Sequence, residues 1–153
     1  MKWGTPPDIK IYEALGAVVD GRVKIKGNHA QVYSSSGNKF YAVEYEADSK
    51  SIMTNDNGSY WKGYLGYPAI AYLLSIGVLE YVSTLGSLMK GIPWKDINTR
   101  FKNDFEKTLS FILKDLSVEE RQSLHDYVQQ IQKEIRNLNL NLLGKKTLPP
   151  EGY

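Results

Sequence analysis

The sequence of 153 residues contains no cysteine. This absence excludes disulfides, thiolate zinc sites, iron–sulfur clusters and cysteine nucleophiles, and it favours a reducing compartment, for which we expect the cytoplasm. The chain has two histidines, His29 and His125. Neither has a second histidine or a carboxylate at the spacing that a zinc site or a facial triad needs. We therefore predict no metal and no cofactor, and place both histidines in solvent.

A strong charge of either sign is also missing. The chain carries 19 Lys and Arg against 17 Asp and Glu, a net charge of +2. This is too small for bulk electrostatics to indicate a nucleic-acid or membrane-surface protein. The longest apolar run, Ala69 to Ile76, is interrupted by Ser75, and the N-terminus lacks an apolar core of signal-peptide length. We expect no membrane partner.

The first half of the chain has the pattern of one helix followed by strands. Thr5 can cap a helix that Pro6, Pro7 and Asp8 begin, and Gly21 is placed to end it. From Arg22 the apolar period changes to two, with turn residues at Gly27-Asn28. The pattern predicts four antiparallel strands, at about 22–26, 30–33, Lys39–Glu46 and Ser51–Thr54, in a meander with one face open to helices.

The second half has the pattern of helices. Pro68 opens one, Leu79–Lys90 forms a second, and a third runs from Pro93 to Leu116 with apolar residues at steps of three and four. Ser117 and Glu120 form a capping box for a fourth. The prediction is a single α+β domain over residues 1–143, with an N-terminal helix, a four-stranded antiparallel meander and a C-terminal layer of about four helices. Residues 144–153 are predicted to be a flexible tail.

The last helix carries an apolar seam with steps of 4, 3, 4, 3 and 4. Two interpretations stay open: an antiparallel hairpin with the preceding helix, or a homodimer contact. The seam is shorter than the sustained heptads of a coiled coil, which favours the hairpin. The residues of the seam are Leu124, Val128, Ile131, Ile135, Leu138 and Leu142.

Few polar residues suggest catalysis. Asp20, Asp48 and Asp56 lie at predicted turns, where aspartate is favoured for local hydrogen bonds. The run Ser34–Gly37 resembles a flexible turn more than a phosphate loop, because no Gly-Lys-Ser/Thr and no helix follow it.

The loop from Asn55 to Tyr67 is the most unusual stretch, since it combines aromatic rings with a cation and amides. Such a loop suits stacking on unpaired bases or anchoring a partner protein. Alternatively, its rings fold back as a lid over the end of the sheet, each with its polar tip in water. The candidate binding residues are Asn55, Asn57, Tyr60, Trp61, Lys62, Tyr64 and Tyr67.

One part of the chain resembles a known family. The order of a strand at Tyr41–Val43, a short strand at Ser51–Thr54, a glycine-containing loop, and Gly66-Tyr67-Pro68 opening an apolar helix resembles the SWIM-type zinc finger, a ββα unit. The resemblance covers about 35 residues of the chain. The metal ligands of that family would fall on Ile52, Thr54, Ala69 and Ala71, which cannot hold zinc.

The resemblance implies a metal-free interaction module in which apolar contact between Ile52, Ala69 and Ala71 replaces the metal. We therefore predict a non-enzymatic module that displays its aromatic loop to nucleic acid or to a protein partner. Two alternatives remain: an assembly protein that dimerises through its C-terminal helices, and a small enzyme with a site between sheet and helices that uses Asp56, Tyr60 or His29.

Overall fold

The computed structural model describes residues 1–151. Helix α1 spans Asp8–Val19 and is followed by strands β1 Val23–Lys26, β2 His29–Tyr33, β3 Phe40–Glu46 and β4 Ser51–Thr54. The helices of the second half are α2 Tyr67–Ser75, α3 Ser83–Gly86, α4 Trp94–Arg100, α5 Phe105–Leu113 and α6 Val118–Leu138. A short strand β5 spans Asn141–Leu142. The predicted α+β architecture is confirmed.

The sheet has the strand order β1-β2-β3-β4-β5, in which the first four strands pair antiparallel. The register places Val32 opposite Val23 and Tyr41, and Val43 opposite Ala30. Because side chains alternate along a strand, these residues share one face. That face is buried against α2, which contacts all four antiparallel strands and packs along α1.

Strand β5 pairs parallel to β4, with Ile52 opposite Leu142, and was missing from the sequence prediction. Two residues are too few for a periodic signal. The N-terminus joins the same region: the amide of Leu142 donates to the Met1 carbonyl and the amide of Trp3 to the Leu140 carbonyl. The Trp3 indole also donates to the Ile52 carbonyl at 2.8 Å. Residues 1–3 and 140–142 are thus tied to the β4 edge.

The start of α1 differs from the prediction. Pro7 occupies the N-cap position with no side-chain cap, so Thr5, two residues earlier, does not cap the helix. The predicted end is confirmed, since Gly21 has φ +68° and its amide donates to the Val18 carbonyl. The left-handed conformation is one that glycine adopts without steric cost.

The predicted helix Leu79–Lys90 is wrong for its first half, because α3 begins only at Ser83 and runs into a single 3₁₀ turn, Ser87–Met89. Side chains of α6 form hydrogen bonds with the backbone groups that would otherwise bond within a helix. The Tyr127 hydroxyl donates to the Glu80 carbonyl at 2.7 Å and accepts from the Val82 amide at 2.9 Å. These bonds hold the segment extended along α6.

The predicted helix Pro93–Leu116 is two helices. The chain breaks between α4 and α5, where Lys102 and Asn103 have φ values of +53° and +60°. Asp104 then caps α5 by accepting from the Lys107 amide at 3.2 Å. The apolar spacing continues across the break, so the break could not be predicted from periodicity.

The capping box of Ser117 and Glu120 is confirmed at the start of α6. The seam packs inside the chain against α1 and α3, not in a hairpin with α5. A homodimer through this seam would require α6 to leave the core, because Leu124, Val128, Ile131 and Ile135 are buried and Leu138 is packed against the core. Leu142 lies beyond the helix, in β5.

The predicted tail makes defined contacts. The Lys146 ammonium donates to the Tyr60 carbonyl at 3.1 Å, and the Asn55 amide nitrogen lies 3.5 Å from the Leu148 carbonyl. Residues 144–148 therefore border the aromatic loop. Residues 152 and 153 of the predicted tail lie outside the described residues. No helix in the described part of the chain is both long and apolar enough to cross a bilayer.

Candidate functional site

A cleft of about 460 Å³ opens at one end of the sheet. Its walls come from five segments: α1, the β2–β3 turn, the aromatic loop, α4, and the start of α5. The volume lies within the range of small-molecule sites in proteins, roughly 300 to 1,000 Å³. This cleft brings together the most concentrated set of charged and aromatic side chains that line one cavity.

Asp56 fixes the aromatic loop against the body of the protein. One oxygen of its buried carboxylate accepts from the Thr54 hydroxyl at 2.8 Å and the Ser59 hydroxyl at 2.7 Å. The other oxygen accepts from the Ser59 amide at 3.1 Å. The Ser59 hydroxyl in turn accepts from the Gly66 amide at 3.0 Å. Asp56 thus joins both ends of the loop through Ser59.

Two glycines allow close approach within this loop. A Cβ at Gly66 would overlap the Asp56 carboxylate, and a Cβ at Gly58 would lie 2.5 Å from the Tyr64 ring. Between them, Gly58–Lys62 forms one turn of π-helix, which ends at Gly63 with φ +74°. The loop therefore has one tightly packed conformation and carries Trp61 on its outer side.

The floor of the cleft contains an arginine that the protein only partly satisfies. The Arg22 side chain is 11% exposed, and its Nη1 donates to the Tyr33 carbonyl at 2.7 Å. Its Nε lies 3.9 Å from an Asp20 oxygen. Among the described residues, neither Nε nor Nη2 makes a hydrogen bond of good geometry, although the guanidinium also interacts with the nearby Tyr67 hydroxyl, and both atoms are buried. Buried donors without partners are uncommon and destabilise the folded state.

Beside the arginine, Glu13 and Lys10 form an ion pair one helical turn apart on α1. The two charged atoms are 3.1 Å apart, and the Glu13 side chain is only 6% exposed. The Lys10 ammonium also lies 5.1 Å from the centre of the Phe105 ring. Burial alone would lower the pKa of Lys10, but Glu13, Tyr64 and Asp56 together outweigh it, so the pKa is raised and the lysine stays charged.

Two tyrosines of the cleft, Tyr64 and Tyr67, stay neutral. Burial, assisted by the charge of Glu13, raises the pKa of Tyr67, although Arg22 acts in the opposite direction. Burial also raises the pKa of Tyr64, against the effect of Lys10. Phenols of this kind remain protonated at neutral pH, so they offer hydroxyl groups for hydrogen bonding and not general bases.

Positive charge dominates the cleft. Its walls carry five cationic side chains and two carboxylates, and the Asp56 carboxylate is occupied by Thr54 and Ser59. The Lys39 ammonium lies 5.4 Å from the centre of the Tyr41 ring. An arrangement of clustered cations in a concave, low-dielectric site attracts anions. The cations are Lys10, Arg22, Lys39, Lys62 and Lys95.

The seven residues predicted from the aromatic loop divide into two groups. Asn57, Trp61, Lys62, Tyr64 and Tyr67 line the cleft. Asn55 instead accepts from the Ala42 amide at 2.8 Å, and the Tyr60 ring packs edge-on against Trp61 with 4.7 Å between ring centres.

The rings of the loop differ in exposure and in direction. Trp61 is 67% exposed and stands at the rim, whereas Tyr64 and Tyr67 are partly buried and turn toward the cleft.

The other half of the cleft was missed from the sequence. It comprises Lys10, Glu13 and Arg22 beside α1, Ser34, Ser35 and Lys39 of the β2–β3 turn, and Trp94, Lys95 and Asn98 of α4. A single signal existed, a Lys-x-x-Glu pair next to the apolar stripe of α1. The remaining residues converge only through tertiary structure. Ser35 shows this, because its hydroxyl accepts from the Lys95 amide, 60 residues away, at 2.9 Å.

The other polar candidates lie outside the cleft. His29 faces Glu44 across strands β2 and β3 at 3.6 Å, with its side chain 60% exposed, and His125 is exposed on α6. Within residues 1–151, no three His, Asp or Glu side chains cluster in a way that could hold a metal ion. Ile52, Thr54, Ala69 and Ala71, the positions matching SWIM-type ligands, are all buried. The three apolar ones belong to the main core.

Fold and site together define an α+β protein in which helices cover one face of a five-stranded sheet and a basic, aromatic-lined cleft opens at its end. The chain belongs to the family described as uncharacterised conserved protein UCP014422, whose model matches residues 3–141. Every residue that lines the cleft falls within this range. No curated protein and no solved structure matches the chain.

Proposed function

We propose that this protein is a non-enzymatic binding module whose cleft receives the anionic group of its ligand. The observation that carries the proposal is Arg22, a buried guanidinium at the cleft floor with two nitrogens that make no hydrogen bond of good geometry within the described residues. An oxyanion would supply the missing acceptors. Hydrogen bonds between a guanidinium and an oxyanion are among the stronger ones in proteins.

The surroundings of Arg22 support the same ligand chemistry. The excess of cations over carboxylates favours a negative group, and the neutral hydroxyls of Tyr64 and Tyr67 can donate to it. The ion pair of Lys10 and Glu13 gives the floor a fixed shape before a ligand arrives. A site that is already ordered loses less entropy on binding.

A partner protein on the aromatic loop has less support. Of the loop rings, Trp61 is the large apolar side chain that projects into solvent, while Tyr64 and Tyr67 turn toward the cleft. The interface anchors of protein complexes cluster in a central patch, and one exposed indole does not form such a patch. Assembly through α6 has less support still, because the seam is covered within the chain.

Isothermal titration calorimetry with inorganic phosphate, sulfate and ribose 5-phosphate tests the proposal. We expect wild-type protein to bind at least one of these anions, with affinity falling as salt is added. Arg22→Gln should weaken binding by about tenfold or more, because a hydrogen bond to a charged group contributes about 1.5 to 3 kcal/mol. Lys39→Gln and Lys62→Gln should each weaken it less.

The matched control is Lys133→Gln, which removes one positive charge on the exposed side of α6, outside the cleft. At about 0.15 M salt the Debye length is roughly 8 Å, so this distant charge should not affect binding. Arg22→Gln also removes the bond to the Tyr33 carbonyl, so thermal melting must show that the variant is folded. The proposal fails if no anion binds the wild type, or if the Lys39 and Lys62 variants bind like Lys133→Gln.

A further inference from the structure

We infer that the ligand is a nucleoside phosphate, with its phosphate at the floor of the cleft and its base against Trp61 at the rim. The inference rests on the proposed function and identifies the part of the ligand that Arg22 does not contact. It follows from the contrast between two ends of one cavity: a buried cationic floor and an exposed aromatic rim.

The rim offers a flat apolar surface held in place. Trp61 is 67% exposed, yet its position is fixed by the π-helical turn, by the Tyr60 ring beside it, and by the Lys146 ammonium on the Tyr60 carbonyl. A large exposed aromatic side chain on an ordered loop matches the stacking platforms that receive unpaired bases. The ordering by Asp56 means that little entropy is lost when a ring stacks there.

Neutral polar groups also line the cleft, and the Asn98 amide nitrogen lies 3.5 Å from the Glu13 carboxylate at its floor. Asn57, Asn98, Thr99 and Asn103 line the cleft, and within residues 1–151 the buried side-chain oxygen of Asn98 has no hydrogen-bond partner. Amides and hydroxyls can both donate and accept, as recognition of a ribose or of a base edge requires. A phosphate alone would leave these groups and Trp61 without a role. A ligand with both a base and a phosphate would use the cationic floor, these polar groups and Trp61.

Two sources could supply this chemistry: a free mononucleotide, or the terminal nucleotide of a single strand. Titrations should therefore compare AMP, ribose 5-phosphate, adenosine and a 5′-phosphorylated oligonucleotide of five deoxyadenosines. We expect AMP to bind more tightly than ribose 5-phosphate by roughly 5- to 150-fold, the effect of stacking one base on an aromatic ring. Adenosine, which lacks the phosphate, should bind more weakly than AMP.

Trp61→Ala should remove the advantage of AMP over ribose 5-phosphate. Trp61→Phe should retain part of that advantage. Phe40→Ala is the matched control, because Phe40 is an aromatic residue, 42% exposed, that lies outside the cleft. Calorimetry is the appropriate readout, since Trp3 and Trp94 also contribute to fluorescence.

Each result distinguishes the two proposals. If ribose 5-phosphate binds as tightly as AMP, and Trp61→Ala changes neither, the nucleotide inference is overturned while anion binding stands. If none of the phosphates binds, the proposed function itself is overturned. Tighter binding of the oligonucleotide than of AMP supports the inference and identifies a strand end as the source, and the reverse order identifies a free nucleotide.

Discussion

Replacing Asp56 should show how strongly one buried carboxylate holds the aromatic loop. Asp56→Ala removes three hydrogen bonds, two from hydroxyls and one from the Ser59 amide. Each bond to a charged group contributes about 1.5 to 3 kcal/mol. Their sum is an upper bound, because Asp56 borders the cleft, where water can reach the abandoned donors, and because the variant no longer buries a charge. We expect a loss of about 3 kcal/mol.

Urea denaturation followed by circular dichroism measures this loss directly. For a chain of this size, about 3 kcal/mol corresponds to a fall in Tm of roughly 6 to 12 °C. Asp56→Asn should be milder, at about 2 kcal/mol, because its oxygen still accepts from the hydroxyls of Thr54 and Ser59. Its amide group then faces the Ser59 N–H, where two donors oppose each other.

The control is Asp48→Asn, an exposed carboxylate in the β3–β4 turn, which should change stability by less than about 0.5 kcal/mol. Hydrogen exchange gives a second, local readout: in Asp56→Ala the amides of Ser59 and Gly66 should exchange faster than in the wild type. Asp56 does not organise the loop if Asp56→Ala matches Asp48→Asn in both measurements.

Two further variants test the packing and the pH dependence. Gly16→Ala should destabilise the protein by about 1 to 2 kcal/mol in urea, because the new Cβ would lie 2.7 Å from the buried Trp94 indole nitrogen, which outweighs the gain in helix propensity. A gain in stability would contradict this. Burial raises the pKa of Tyr12 to about 12, so the unfolded chain, with an ordinary value of about 10, loses its proton first as the pH rises. The contribution of Tyr12 to stability should therefore be complete below pH 10 and decrease by about 2 kcal/mol between pH 10 and 12, and Tyr12→Phe should make stability fall less steeply over that range.

Local sequence signals predicted the elements whose stability is local. The period of two located β2 and β3, because alternate residues face the helices. Ser117 and Glu120 marked the start of α6, because each side chain accepts from the other residue's backbone amide. The helix predictions failed where side chains distant in sequence form hydrogen bonds with backbone groups that a helix would otherwise pair. Tyr127 holds Glu80 and Val82 out of a helix from 45 or more residues away, which no local pattern reveals.

The cleft shows the same limit. The aromatic loop stood out because rings, glycines and a lysine lie together in 13 residues. The cationic floor did not, since Arg22, Lys39 and Lys95 are far apart in sequence and each has an ordinary local setting. Only the packing of α1 and α4 against the β2–β3 turn brings them to the loop. The sequence thus indicated the rim of the site, and the structure was needed to show its floor.

The pairing of residues 1–3 with residues 140–142 beside β4 has a consequence during synthesis. Residues 1–3 are made before β4, yet their partners at Leu140 and Leu142 are made more than 130 residues later. Until then the nascent chain exposes the edge of β4, and unpaired edges invite association with other chains. A chain that stops before residue 140 would therefore leave this side of β4 without its partner strand.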